Sequence, residues 1–220
     1  MTPLLLALVD DAGLFPPTSL SMAEALARYR GTRSPMLSGR FLVPGDRLGE
    51  LSDLLDGPLD VHVIGAGTTD DPRLTIRARE GREPAESPCY VEGVAPSDLP
   101  PGMFGKVRCA GIRDAELATY IDEAARLSRP FKATAGLHAA VRGWDGPGFH
   151  GYLNVLMAVA HALAGGPAIE VIEEDDPEVL VAELKGLSDD QVVATRWLFH
   201  SYGSCSITQP IDDARRLGLL

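Results

Sequence analysis

Eight short apolar runs recur along this chain, and helical patterns fall between several of them. That alternation constrains the fold more than any other feature. The runs lie at residues 4–9, 37–43, 60–64, 74–78, 89–94, 105–109, 131–135 and 197–202. Ser21-Met-Ala-Glu24 has the form of a capping box before a helix at 25–29. Leu48, Leu51 and Leu55 repeat at helical spacing within 47–55. The clearest helix spans 114–128, with Asp114 as its expected cap and Leu117, Ile121, Ala124 and Ala125 on one face. A second apolar helix at 150–164 is stopped by Gly165-Gly166-Pro167, and shorter ones are expected at 178–184, 189–195 and 211–217. Strands alternating with helices indicate a parallel sheet. Eight of them predict a small, partly degenerate (β/α)8 TIM-like barrel, one domain over residues 1–220. Residues 64–105 leave little room for helices, so some crossovers there are expected to be loops. An open doubly wound parallel sheet is the alternative. No Gly-x-Gly-x-x-Gly follows the first strand, only Gly65-Ala-Gly67.

Composition narrows the class without naming a function. The 220 residues are 45% hydrophobic and 23% charged, with a net charge of −11, and the acidic pI of about 4.8 disfavours nucleic acid and anionic membrane as partners. Cys89, Cys109 and Cys205 are odd in number and without metal-type spacing, so a reduced, cytoplasmic protein is expected. The run 3–9 lacks the flanks of a signal peptide, and no segment is long enough to span a membrane. The acidic stretch Glu173-Glu-Asp-Asp176 reads as a solvated loop or helix start. The expected partner is a small, anionic molecule, and self-association into a homo-oligomer is left open.

Side chains alternate faces along a strand, and here they alternate apolar with polar. Arg40 opposes Phe41 and Val43, His62 opposes Val61 and Val63, and Arg77 opposes Ile76 and Ala78. Glu92 opposes Val91, Lys106 and Arg108 oppose Val107 and Cys109, Lys132 and Thr134 oppose Phe131 and Ala133, and His200 and Tyr202 oppose Phe199. In a barrel the apolar faces pack on the outer helices, leaving a lumen lined by these charged groups. Buried charge is costly unless paired or functional, so a site for a polar small molecule is expected. An antiparallel sheet with one solvated face would alternate in the same way.

Only three lysines occur against seventeen arginines, and two of them, Lys106 and Lys132, fall on neighbouring strands. Lysine, unlike arginine, can be deprotonated and act as a nucleophile, and two adjacent ammonium groups depress one pKa. Phe131-Lys-Ala-Thr-Ala-Gly-Leu137 resembles the Lys-Ala-Ser-Gly-Gly strand of the deoxyribose-phosphate aldolase family of (β/α)8 enzymes. The resemblance covers about seven residues. It implies an imine-forming lysine on the sixth strand, here Lys106, and a perturbing lysine on the seventh, here Lys132. The chain departs from that family after Lys106, with Val-Arg-Cys-Ala-Gly in place of Thr-Ser-Thr-Gly, and no counterpart of its strand-four aspartate is identifiable. Four segments, Asp10-Asp-Ala-Gly-Leu-Phe-Pro-Pro17, 131–138, His150-Gly-Tyr-Leu-Asn154 and Tyr202-Gly-Ser-Cys-Ser206, carry a broader resemblance, over most of the chain, to an uncharacterised bacterial protein family, which implies no function.

The leading expectation is an aldolase- or lyase-like enzyme without a cofactor. Lys132 or Lys106 forms the imine, Glu92, Asp10 and His138 move protons, and Arg108 and Arg40 hold an anionic group. Thr134, His150, Asn154, Ser204 and Cys205 complete the expected substrate site. Loops after the seventh and eighth strands, Gly136-Leu-His138 and Gly203-Ser-Cys-Ser206, are placed to bind phosphate or carboxylate. Cys205 is either a nucleophile or an inert thiol. Gly143-Trp-Asp-Gly-Pro-Gly148 reads as a mobile loop over the mouth, and Asp11 either serves the site or caps the turn at Ala12-Gly13. Two other classes compete. One is a hydrolase using a divalent metal on Asp10, Asp11, His138 and His150, and the other is a non-catalytic ligand-binding barrel.

Overall fold

The computed structural model describes residues 3–86 and 88–220. Eight strands close an all-parallel barrel in sequence order: β1 (Val9–Asp11), β2 (Leu37–Pro44), β3 (Leu59–Ile64), β4 (Leu74–Gly81), β5 (Cys89–Glu92), β6 (Phe104–Arg108), β7 (Phe131–Thr134) and β8 (Phe199–Ser204). The helices are α1 (Met22–Gly31), α2 (Leu48–Asp53), α3 (Asp114–Leu127), α4 (Tyr152–Leu163), α5 (Ala168–Ile172), α6 (Pro177–Gly186), α7 (Asp189–Leu198) and α8 (Thr208–Arg216). The expected barrel is therefore found, and the open sheet is not. The helical ring is incomplete as the spacing required: β3 to β4 and β4 to β5 cross over without a described helix, and β5 to β6 has only a 3-10 turn at Pro96–Asp98. No helix among the described residues is long and apolar enough to cross a membrane.

The outward faces carry the core. Phe41, Val43, Val61 and Val63 pack with Met22, Leu26, Leu48 and Leu51 of α1 and α2, while Val107, Phe131, Ala133 and Phe199 join the larger cluster under α3, α4 and α7. α4 is apolar nearly all round, and its residues from Tyr152 to Ala160 are buried, as expected for a helix sandwiched between the sheet and its neighbours.

Several boundaries differ from the sequence reading. Residues 4–9 are not a strand. Pro3–Leu5 form a 3-10 turn, Ala7 takes a left-handed φ of 49°, and pairing begins at Val9. Leu4, Leu5 and Leu8 are fully buried, so burial rather than strand pairing explains that apolar run. Helix α7 continues through Leu198, which leaves Trp197 helical and half exposed. Asp114 is the first helical residue of α3, and Arg113 holds the capping position with the Glu116 carboxylate accepting its N–H. The Ser21–Glu24 capping box is present. The short helix α5 was not foreseen, and Asp176 in the acidic stretch caps α6.

Two bulges decide which side chains face inward. Val61 pairs with Ile76 and His62 with Ala78, so Arg77 is the extra residue of β4. It leaves the lumen, stands exposed and pairs with Asp60 at the N-terminal end of the barrel. The phase of the strand then reverses, and Glu80 points in. On β8, Phe199 and Tyr202 are registered opposite Phe131 and Ala133. The two residues between them, His200 and Ser201, both face the lumen, bonded to Tyr90 and Asp10, so Tyr202, expected beside His200, turns outward and stacks on Tyr152 of α4.

Candidate active site

The lumen holds a continuous chain of charge. Lys132 is fully buried, and its Nζ donates to Asp10 Oδ2 at 2.6 Å and to Glu80 Oε1 at 2.5 Å. Ser201 Oγ donates to the same Asp10 oxygen at 2.8 Å, and Arg40 Nε donates to Asp10 Oδ1 at 2.9 Å. Glu80 also meets His62 Nδ1 at 2.8 Å. The other Glu80 oxygen lies 3.1 Å from Lys106 Nζ, which is 3.2 Å from Glu92 Oε2. Three carboxylates, Asp10, Glu80 and Glu92, thus face three cations, Arg40, Lys132 and Lys106.

This pairing reverses the expectation for Lys132. Burial alone favours its neutral amine, but Asp10 and Glu80 outweigh it and raise its pKa above the ordinary lysine value. The same contacts act on the acids. Burial pushes Asp10 up, yet Lys132 and Arg40 pull it down to about 2, and Lys132 likewise holds Glu80 well below the carboxylate range. The lysines do not repel across open space, because Glu80 stands between them. Lys132 is an ammonium locked in the barrel.

Above this layer the C-terminal ends of the strands open on two adjoining cavities of about 620 and 690 Å³. Lys106, Glu92, Arg108 and Ala110 line both, forming a shared wall. The first cavity is completed by Thr134, His138, Asp145 and Cys205 among others, with Phe15, Pro16 and Pro17 as an apolar flank. The second adds Arg82 and Tyr120.

The expected site residues therefore divide. Lys106, Glu92, Arg108, Thr134, His138 and Cys205 meet at the mouth. Asp10 and Lys132 are fully buried, and neither they nor the partly exposed Arg40 line either cavity. Arg40 is therefore an ion-pair partner of Asp10 rather than an anion clamp at the mouth. Ser204 is turned away, fully buried with its hydroxyl donating to the Ser206 carbonyl at 2.6 Å. His150 precedes α4 instead of opening it. It is buried against the Ile112 carbonyl at 3.2 Å, with Asp114 Oδ1 3.4 Å from its other nitrogen. Asn154 is a buried clamp: its Oδ1 accepts from the Arg142 N–H, and its Nδ2 donates to the carbonyls of Val171 and Glu174.

The four residues expected as an alternative metal set are not brought together. Asp10 points inward. Asp11 points outward, where its Oδ1 accepts from Gly13 N at 2.8 Å and Arg28 Nη2 at 2.5 Å, so its turn-capping role holds. His138 is at the mouth and His150 behind it. Among the described residues, one group of potential ligand atoms does converge, on Asp10, His62 and Glu80. Lys132 Nζ already bonds both of its carboxylates.

Glu80 lies beyond the strand expected at 74–78, because β4 runs on to Gly81, and Asp145 lies in a loop without periodic pattern, so neither is among the expected site residues. That loop crosses the mouth as expected and is anchored there. The Arg216 guanidinium stacks 3.9 Å from the Trp144 ring centre, and Gln209 Nε2 donates to Asp145 Oδ1 at 2.7 Å. Compared with known proteins, the chain matches no family model, no curated protein and no solved structure.

Proposed function

We propose that the protein is an aldolase- or lyase-like enzyme in which Lys106 forms an imine with a small anionic carbonyl compound. The observation that carries this reading is the position of the Lys106 amine, in the wall between two cavities and 3.2 Å from the half-buried Glu92 carboxylate. Imine formation needs a neutral amine, a proton acceptor for it and a proton donor for the departing hydroxyl. Glu92 is within reach for both transfers: it takes a proton from the Lys106 ammonium, then returns it as the carbinolamine loses water. Arg108 lines both cavities and Arg82 the second, and they supply donors for a carboxylate or phosphate group. Lys132 does not react in this scheme. It keeps Glu80 ionised, and Glu80 in turn holds Lys106 in place.

The resemblance to the deoxyribose-phosphate aldolase family supports the same roles, with the imine lysine on the sixth strand and its partner on the seventh. Glu80 is moreover a fourth-strand carboxylate beside both lysines. The test is borohydride reduction in the presence of acetaldehyde or pyruvate, followed by peptide mapping. One reduced adduct on Lys106, lost in Lys106→Met, is expected. Absence of any adduct on Lys106, with ligand binding retained in Lys106→Met, would instead make this a non-catalytic binding barrel.

A further inference from the structure

We propose that Cys205, His138 and Asp145 form a nucleophilic relay at the barrel mouth, which takes an acyl group from a small ester or thioester through a thioester on Cys205. The inference goes beyond the imine reading and uses no atom of Lys106. His138 Nε2 lies 3.3 Å from Cys205 Sγ, and His138 Nδ1 lies 3.5 Å from Asp145 Oδ2. The other Asp145 oxygen is fixed by Gln209. A nucleophile, a base in contact with it and a carboxylate orienting that base are the three parts such chemistry needs, and all three line one cavity.

The three residues come from separate parts of the fold, and each is anchored. Cys205 follows β8, where Arg28 Nη1 of α1 donates to its carbonyl at 2.8 Å. The thiol is faced by His138 from the loop after β7, 3.3 Å away, and by Thr18 from the loop after β1. Arg108, Lys106 and Glu92 stand elsewhere on the same cavity wall. Burial pushes the Cys205 thiol up, but His138 and Thr18 more than offset this and bring it to about 7. His138 is raised in turn, mainly by its bond to the sulfur. Cys109, fully buried with no such partners, is pushed up to about 12. Neither Cys89 nor Cys109 lines either of the two cavities at the mouth.

The steps balance without a cofactor or redox partner. The thiolate attacks the acyl carbon and a C–S bond forms. The bond from that carbon to the leaving oxygen or sulfur breaks, and the leaving group takes a proton from the His138 imidazolium. Neutral His138 then removes a proton from water, the hydroxide adds to the thioester, the C–S bond breaks and the thiolate is restored. Cys205 and His138 are catalytic residues here, and Asp145 is a positioning residue.

p-Nitrophenyl acetate tests this directly. Wild type should release a burst of one equivalent of p-nitrophenolate and carry one acetyl group, mapped to Cys205. Cys205→Ser should lose both, and His138→Gln should slow the burst by about 100-fold. The acetyl group maps to Cys205 without borohydride, whereas an imine adduct maps to Lys106 only after reduction, which separates this proposal from the imine reading. Iodoacetamide alkylation of Cys205 should show a midpoint at about 7 that moves upward in His138→Gln and, by less, in Asp145→Asn. Acetylation elsewhere than Cys205, or a burst and alkylation midpoint unmoved by His138→Gln, would overturn the relay.

Discussion

Replacing Lys132 with methionine isolates what the buried charge chain does for stability. The side chain is fully buried, so methionine fills most of its volume and the main loss is the ammonium between Asp10 and Glu80. Breaking a buried pair by removing one partner costs about 3–5 kcal/mol, because a charge is left uncompensated. Arg40 stays on Asp10 and His62 and Lys106 stay beside Glu80, which places the expected loss at the lower end, about 3 kcal/mol, or a fall in Tm of about 6–12 °C for a chain of this size. The assay is urea denaturation followed by circular dichroism between pH 7 and pH 4. In wild type, Asp10 and Glu80 titrate below their unfolded values. Their contribution is therefore present above the ordinary carboxylate range and declines as pH falls toward their folded values. In Lys132→Met the lysine no longer opposes desolvation, which is the largest influence on both acids. Protonation then relieves the variant as pH falls, while the same fall weakens wild type. The deficit should be largest at pH 7 and shrink toward pH 4, and Glu80→Gln added to Lys132→Met should recover part of it. A deficit below about 1 kcal/mol at pH 7, within the range of an ordinary surface pair, or one independent of pH, would refute the argument.

Two other outcomes follow from the fold. His200 is held down to about 4, chiefly by burial and then by Arg40 and Arg196. The unfolded chain therefore binds the extra proton first, and stability should fall as pH drops from about 6.5 to about 4; His200→Phe should flatten that part of the pH–stability curve measured by denaturation. A Cβ at Gly45 would sit 1.9 Å from the Ala66 carbonyl oxygen, where the loops after β2 and β3 touch backbone to backbone. Gly45→Ala should cost about 2 kcal/mol and lower Tm by about 4–8 °C in a thermal melt.

The barrel was legible because period-two alternation and intervening helices are local properties of the chain. Val61-His62-Val63 and Lys106-Val107-Arg108 announce their inner and outer faces without reference to partners. Bulges are different, since they exist only in the pairing of two strands. Arg77 reads as an inward residue on perfect alternation, and one unpaired position moves it to the surface and brings in Glu80. The lysine pair was visible, but its electrostatics depended on that hidden glutamate. Two cations expected to repel are instead joined through one carboxylate. His138 and Cys205 could be named as candidates, yet their contact joins residues 67 positions apart, and Asp145 carries no periodic signal at all. Apolar burial misled at the N-terminus, where Leu4 and Leu5 pack in a 3-10 turn.

The Arg28 bond to the Cys205 carbonyl spans 177 positions and lies beside the seam where β1 meets β8. Its consequence is one of timing. A chain emerging during synthesis presents Asp10, Glu80, Lys106 and Lys132 well before residue 205 appears, and until then β1 has an unpaired edge. The thiol loop takes its place only when the last strand docks against the first. Closing the barrel and completing the mouth thus both require β8, and a chain cut short before it would have most of the hydrophobic core yet lack the thiol and its seam.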